Sequence, residues 1–351
     1  MTESDVRVDW YRSAIDRDTL RDLTKRNNWQ PLLQNVVQLA FHAATGWFSY
    51  WAFHNLAWPW VVLALFVHCT FYGYAGARGH ELSHTNMFRT KWINEMFMWI
   101  NGFLQYFNWV FFRHSHKHHH FYTVHDDLDV EVMLPSNIKW HMWVWALTFD
   151  VRFFLEMNKF LVHHSFGRKR EYILFREKKR GFYPTKKTIK RMQRVSRAIL
   201  FGHIALALMF VLTGNWILLF VVTFAPYIAR WHVLLTHIPQ HSGMKPSIPD
   251  WRLNTRTYTA GPISRFFYWN MNYHIEHHMY AAVPYYNLPK LRQAIEGDLP
   301  AAAKGLIGAW REMYAAAKRQ RIDPEYHIVP ELPVTAQPYK LERGLIRTRI
   351  G

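Results

Sequence analysis

Cysteine is nearly missing from this chain: Cys69 stands alone among 351 residues. An internal disulfide is therefore excluded, and so is any metal site or iron–sulfur cluster built from cysteines. Cys69 lies in an apolar run, where a small buried side chain is its expected role. Acidic residues are also scarce, 25 against 43 Lys and Arg, which leaves a formal charge of +18. That excess suits acidic lipid headgroups or an acidic protein partner. Nucleic acid is not an expected partner, because no recognised binding module occurs and the apolar runs call for a bilayer. A cleavable signal peptide is not expected either: "MTESDVRVDWYRSAIDRDTL" is charged and has no apolar centre.

What is present is aromatic and apolar. Half of the residues are hydrophobic and 17% aromatic, yet the mean hydropathy is slightly negative. This combination fits a membrane protein with few spans and a large polar part outside the lipid. Four stretches approach the roughly 20 apolar residues that a crossing needs: 36–53, 58–77, 198–212 and 216–231. Only "HNLAW" separates the first two and "TGN" the last two, so they read as two tight helical hairpins. Two further aromatic stretches, 92–112 and 140–162, carry Asn94, Glu95, Asn101, Gln105, Asn108, Asp150, Arg152 and Glu156. Those groups are costly in lipid, so both stretches are expected as amphipathic helices on the membrane surface or lining the protein interior. The segment 168–197 is strongly basic. Positive charge collects on the cytoplasmic side, which puts this segment and both chain ends inside.

Histidine is the other abundance, with 22 copies. "GHELSH" holds His80 and His84, one helical turn apart. "FRHSHKHHHFYT" holds His116, His119 and His120, and "NMNYHIEHH" holds His274, His277 and His278. Spacings of i, i+3 and i+4 aim each triplet at one point. A fourth pair, His237 and His241, follows the fourth apolar stretch. A lone histidine is ordinarily an interior or surface residue. Four clusters, all on the cytoplasmic side of the expected topology, would repel when protonated and lack partners when neutral unless metal binds them. They exceed what one tetrahedral ion accepts, so two ions are indicated. All-nitrogen ligation suits zinc, iron, copper or nickel, while two open-coordination ions beside a membrane point to redox chemistry and to iron. "HELSH" also fits the helical zinc-protease motif, with Glu81 as general base, but that leaves the other clusters unexplained. A bis-histidine haem protein would want single histidines on facing spans.

"HELSH", "HSHKHH" and "NMNYHIEHH", in this order, together with "QHSG", "NTRTYT" and "VPYYNLPKL", resemble the membrane fatty acid desaturase superfamily over about residues 60–295. The resemblance implies an all-α integral membrane protein, with four spans in two hairpins and a cytosolic helical cap holding a histidine-ligated diiron centre. The whole chain, 1–351, then reads as a single domain: the cap comprises 80–164 and 237–295, and 296–351 forms a C-terminal tail with one amphipathic helix. Carried over by motif, the implied iron ligands are His80, His84, His116, His119, His120, His241, His274, His277 and His278. His237 is implied as an additional or water-mediated ligand, and His114 and His118 fall off the register. Glu81, Asp126, Asp127, Asp129 and Glu276 are candidates to orient ligand rings through their second nitrogens. The implied reaction is O2-dependent oxidation of an unactivated C–H bond in a fatty acyl or lipid substrate, with desaturation first. Hydroxylation, or oxidative decarboxylation to a terminal alkene, is the alternative. Electrons would come from a separate donor such as ferredoxin with its reductase. The expected location is the inner or plasma membrane, with the histidine clusters cytosolic.

Overall fold

The structure, a computed structural model, describes residues 6–125, 128–132, 140–167, 184–342 and 345–347. It is mostly helical. In chain order the helices are α1 (Arg17–Leu23), α2 (Trp29–Asn55), α3 (Trp58–Ser83), α4 (Lys91–Leu104), α5 (Trp109–Tyr122), α6 (Trp140–Leu147), α7 (Val151–Phe166) and α8 (Lys186–Leu212). Shorter ones follow: α9 (Trp231–His237), α10 (Trp251–Asn254), α11 (Pro262–Phe267), α12 (His274–Met279), α13 (Leu288–Ile295) and α14 (Gly305–Gln320). Two three-residue strands, β1 (Val6–Val8) and β2 (Leu345–Arg347), pair antiparallel and tie the two ends of the chain together.

The first hairpin forms where the apolar runs predict it. Pro59 sits in the first turn of α3, where its missing N–H costs nothing. α3 and α8 are long and apolar enough to cross a membrane. α2, 27 residues and about 40 Å long, is built inside out. It buries Gln34, Asn35, Gln38, His42 and Ser49 and exposes Leu33, Phe41, Trp47, Phe48 and Trp51.

The expected fourth span is corrected: 216–231 is not a continuous α-helix. Leu219–Thr223 forms a π-helical turn and Ala225–Tyr227 a 3-10 turn before α9 begins. Pro226 cannot donate to the ladder and its ring crowds the preceding carbonyls, and Ala229 adopts φ 51°. A freed carbonyl, that of Val221, accepts from His68 Nε2 at 2.8 Å. The third stretch begins earlier than expected, because α8 extends N-terminally through the basic residues from Lys186, capped by Thr185.

The two ambiguous stretches are amphipathic: α4 and α7 each turn one face inward, while Trp92 and Trp99 of the first and Val144, Trp145 and Leu147 of the second stay exposed. α4 places Asn94 and Asn101 inward, where Asn94 Nδ2 donates to Leu82 O at 2.9 Å and Asn101 Oδ1 accepts from Arg78 Nε at 2.8 Å. Asn108 caps α5 and bonds Met192 O and Ser196 Oγ of α8. The second stretch divides into α6 and α7, with Asp150 capping α7. Asp126 and Asp127, and 168–183 of the basic segment, lie outside the described residues.

Candidate metal centre

α3 runs past its apolar part and carries His80 and His84 at its C-terminal end. α5 carries His116, His119 and His120, and α12 carries His274, His277 and His278. His241 follows α9 through a short 3-10 turn. What presses α9 against α3 is Gly73: a Cβ there would lie 1.7 Å from His232 Cε1. Only glycine allows that approach.

The nine histidines named from the sequence meet in one knot. His80, His84, His116, His120 and His277 each offer a nitrogen, all within 4.8 Å of one another. His119, His241 and His278 form a second such group. His274 joins the latter, its Nε2 3.1 Å from that of His241 and 3.2 Å from that of His278. His237 belongs to neither group. It lines the adjoining cavity, and its Nδ1 is held by Val233 O at 3.1 Å.

The backs of the rings decide which nitrogen carries hydrogen. His116 Nδ1 meets Glu131 Oε2 at 2.9 Å, His119 Nδ1 meets Asp129 Oδ2 at 2.8 Å, and His241 Nδ1 meets Asn254 O at 2.9 Å. All three partners are acceptors, so each ring donates its Nδ1–H, and in the neutral ring Nε2 keeps its lone pair. Those lone pairs converge. His116 Nε2 lies 3.1 Å from His84 Nε2 and 3.0 Å from His120 Nε2. The buried Nε2 atoms of His80 and His277 have no hydrogen-bond partner among the described residues. Lone pairs aimed at one another repel, and a cation between them removes the conflict. The donor set thus fits transition-metal ions with nitrogen preference.

Electrostatics favours the same state. Burial, then neighbouring rings, holds the pKa of His116, His120, His274, His277 and His278 well below the ordinary value. Burial brings that of His241 down to about 3. These rings are neutral and able to ligate at neutral pH. Burial also disfavours a charged His119, but the Asp129 carboxylate outweighs it and the pKa is raised. Asp129 itself is brought to about 2: burial opposes ionisation, while His119 and the backbone N–H groups of Glu131 and Val124 more than compensate. Burial pushes Glu131 up to about 7.

Of the acidic candidates, Asp129 and Glu81 stand behind rings; Glu81 Oε1 is 3.1 Å from His80 Nδ1. Glu276 is a correction. Its carboxylate accepts from Thr257 Oγ1 at 2.6 Å and pairs with Arg292 at 2.8 Å, so it pins α12 rather than orienting a ring. Sequence reasoning missed Glu131, whose only signal was its place two residues beyond Asp129. It also missed Thr123, whose Oγ1 lies 3.3 Å from His278 Nδ1 and accepts from Trp251 Nε1. Glu81 turns to the backs of the rings, whereas a protease base would face a metal-bound water. His114 and His118 lie outside both nitrogen groups.

A cavity of about 340 Å3 opens beside the knot, bounded by His80, His116, His119, His241 and His274 at one end. Gly76, Phe107, Phe112, Phe153, Pro226 and Val233 make much of the rest apolar. A family model described as "Fatty acid desaturase" matches residues 56–308. None of the curated proteins matches the chain.

Proposed function

Because the chain belongs to the fatty acid desaturase family, an oxidoreductase family acting on lipid, we propose that it oxidises an unactivated C–H bond of a fatty acyl or lipid substrate, by desaturation. The observation that carries this reading is the convergence of imidazole lone pairs at the end of an apolar cavity. Two iron ions would be held, one by His80, His84, His116, His120 and His277, the other by His119, His241, His274 and His278. His237 would reach the second through water. Iron bound there supplies O2 activation.

The chain's own residues supply position and dryness. Glu131, Asp129 and Asn254 O lock the ring orientations, which sets where the ligand nitrogens point to within a narrow tolerance. Phe107, Phe112 and Phe153 line a slot that holds a chain methylene beside the knot and excludes water. Electrons would arrive from a separate acidic carrier such as ferredoxin with its reductase, drawn to the cationic end of the molecule.

The membrane reading rests on where the charges and tryptophans fall. Trp58, Trp60 and Trp216 stand exposed around the α2–α3 turn, as interfacial tryptophans do. The basic start of α8 lies at the opposite end, where Arg191 pairs with Glu95 at 2.9 Å. That end, together with the histidine knot, would face the cytosol of an inner or plasma membrane, and the whole chain would act as one domain.

Mass spectrometry of lipids and volatiles from cells making the wild type or His277→Ala tests the proposal. A wild-type-only product lighter by two hydrogens supports desaturation. A product heavier by one oxygen, or a terminal alkene one carbon shorter, redirects the same site to hydroxylation or decarboxylation. No lipid product, with a competent electron donor present, removes the reading.

A further inference from the structure

The far side of α9 from the knot carries a groove that the chemistry above leaves unused. α14 docks there: Trp310 Nε1 donates to Leu235 O at 2.7 Å, and its ring lies 5.4 Å from that of Trp143 on α6. Between α6 and α14 runs a groove of about 610 Å3, walled by Trp143, Leu306, Ile307, Trp310 and Tyr314. Nothing among the described residues covers it, and Ile307 and Tyr314 are 70% and 69% exposed. The apolar surface continues onto α6 through exposed Val144, Trp145 and Leu147. Contiguous apolar surface of this kind marks a binding face.

The rim of the groove is cationic. Arg311 and Lys318 line it, on the same helical stripe as Ile307 and Tyr314. Neither forms an ion pair among the described residues. The one acid of α14, Glu312, is engaged elsewhere, its Oε2 3.0 Å from Arg256 Nε. The level of the groove follows from α9. Leu235 lies between His232, which packs on Gly73 of the apolar α3, and His241 in the knot. The groove therefore sits where α3 leaves its apolar run, at headgroup depth if α3 crosses the bilayer.

An apolar slot at that depth with two unopposed cations on its rim has the chemistry of one acyl chain and one anionic headgroup. We propose that the α6–α14 groove binds an anionic phospholipid, its chain along Trp143, Trp310 and Tyr314 and its phosphate at Arg311 and Lys318. The site is separate from the cavity at the knot and rests on the membrane reading above.

Delipidated protein in detergent, reloaded with phosphatidylglycerol or phosphatidylcholine, tests it by native mass spectrometry of retained lipid and by thermal midpoint. Wild type should retain phosphatidylglycerol selectively and gain stability from it. The double variant Arg311→Gln, Lys318→Gln should lose roughly five-fold per cation, about 30-fold together, with bound iron unchanged. Ile307→Glu should weaken both lipids. Equal retention of the two lipids by wild type, or undiminished phosphatidylglycerol in the double variant, overturns the proposal. An equal stabilisation by inorganic phosphate does so as well, since the rim would then hold a free anion. Selective lipid retention without any lipid oxidation product would count against the proposed reaction and leave this site standing.

Discussion

His116 condenses the logic of the site into one ring. Glu131 takes its Nδ1–H, so its Nε2 lone pair must face His84 and His120. Glu131→Gln can present its amide to the ring and relax that orientation; such changes weaken metal sites by about 10- to 100-fold. Iron content of the purified variant, measured by plasma emission, checks this, and wild-type stoichiometry would remove Glu131 from the site. The buried rings also set a pH dependence. Groups with folded pKa below the ordinary 6.5 bind fewer protons folded than unfolded. Stability from them is complete above about 6.5 and falls as pH drops below it. His119 runs the other way, its contribution fading as pH rises through its raised value, but it is outnumbered. Protons also compete with metal for the same nitrogens. Thermal midpoint and bound iron should therefore fall together on acidification, and a flat profile would contradict the assignment. At Gly76 a Cβ meets nothing within 4 Å, although the residue borders the cavity. Gly76→Val should keep fold and iron while shifting the product profile towards shorter chains. An unshifted profile in an active variant would exclude Gly76 from the substrate wall.

Among the elements, α9 is held by a contact with no slack. Gly73→Ala places a methyl on the His232 ring, and overpacking of this kind costs about 1–3 kcal/mol. The midpoint should fall and the His241 group should lose metal. Gly73→Ala combined with His232→Ala should recover much of both, and failure to recover would locate the damage elsewhere. The break at 219–227 belongs to the same story. A continuous fourth helix would carry α9 straight on, whereas the π and 3-10 turns redirect it towards α3. Pro226 was visible in the sequence. Its consequence was not, because hydropathy over 216–231 is the same for a straight span and a broken one.

In the whole molecule, the buried Arg252 joins distant segments. It pairs with Asp250 at 2.8 Å and Asp298 at 2.9 Å, donates to the carbonyls of Gln337 and Pro338, and lies over the Tyr11 ring. Trp10 stacks on Trp251 at 4.2 Å, which bonds Thr123 behind His278. The N-terminal segment and the tail thus back the site. Arg252→Met leaves two carboxylates without their cation, so a loss of about 3–5 kcal/mol is expected. Thermal unfolding should register it, and a wild-type midpoint would show that the clamp is dispensable.

The sequence alone determined which residues converge. Spacings of three and four put each triplet on one helix face, four histidine clusters pointed to metal before any contact was known, and the resemblance to the family's motifs separated His241 from His237. The α2–α3 hairpin was equally legible, since apolar runs flanking "HNLAW" admit little else. The partition of the rings was decided by tertiary structure. His119 and His120 are neighbours, as are His277 and His278, yet each pair divides between the two nitrogen groups. Consecutive residues on a helix point about 100° apart, so chain proximity cannot say which ring joins which group. Only the packing of α3, α5, α9 and α12 does. The same holds for the acids: Glu131 and Glu276 look alike in a sequence, and whether the carboxylate meets a ligand ring, as Glu131 meets His116, or a cation, as Glu276 meets Arg292, is set by the fold.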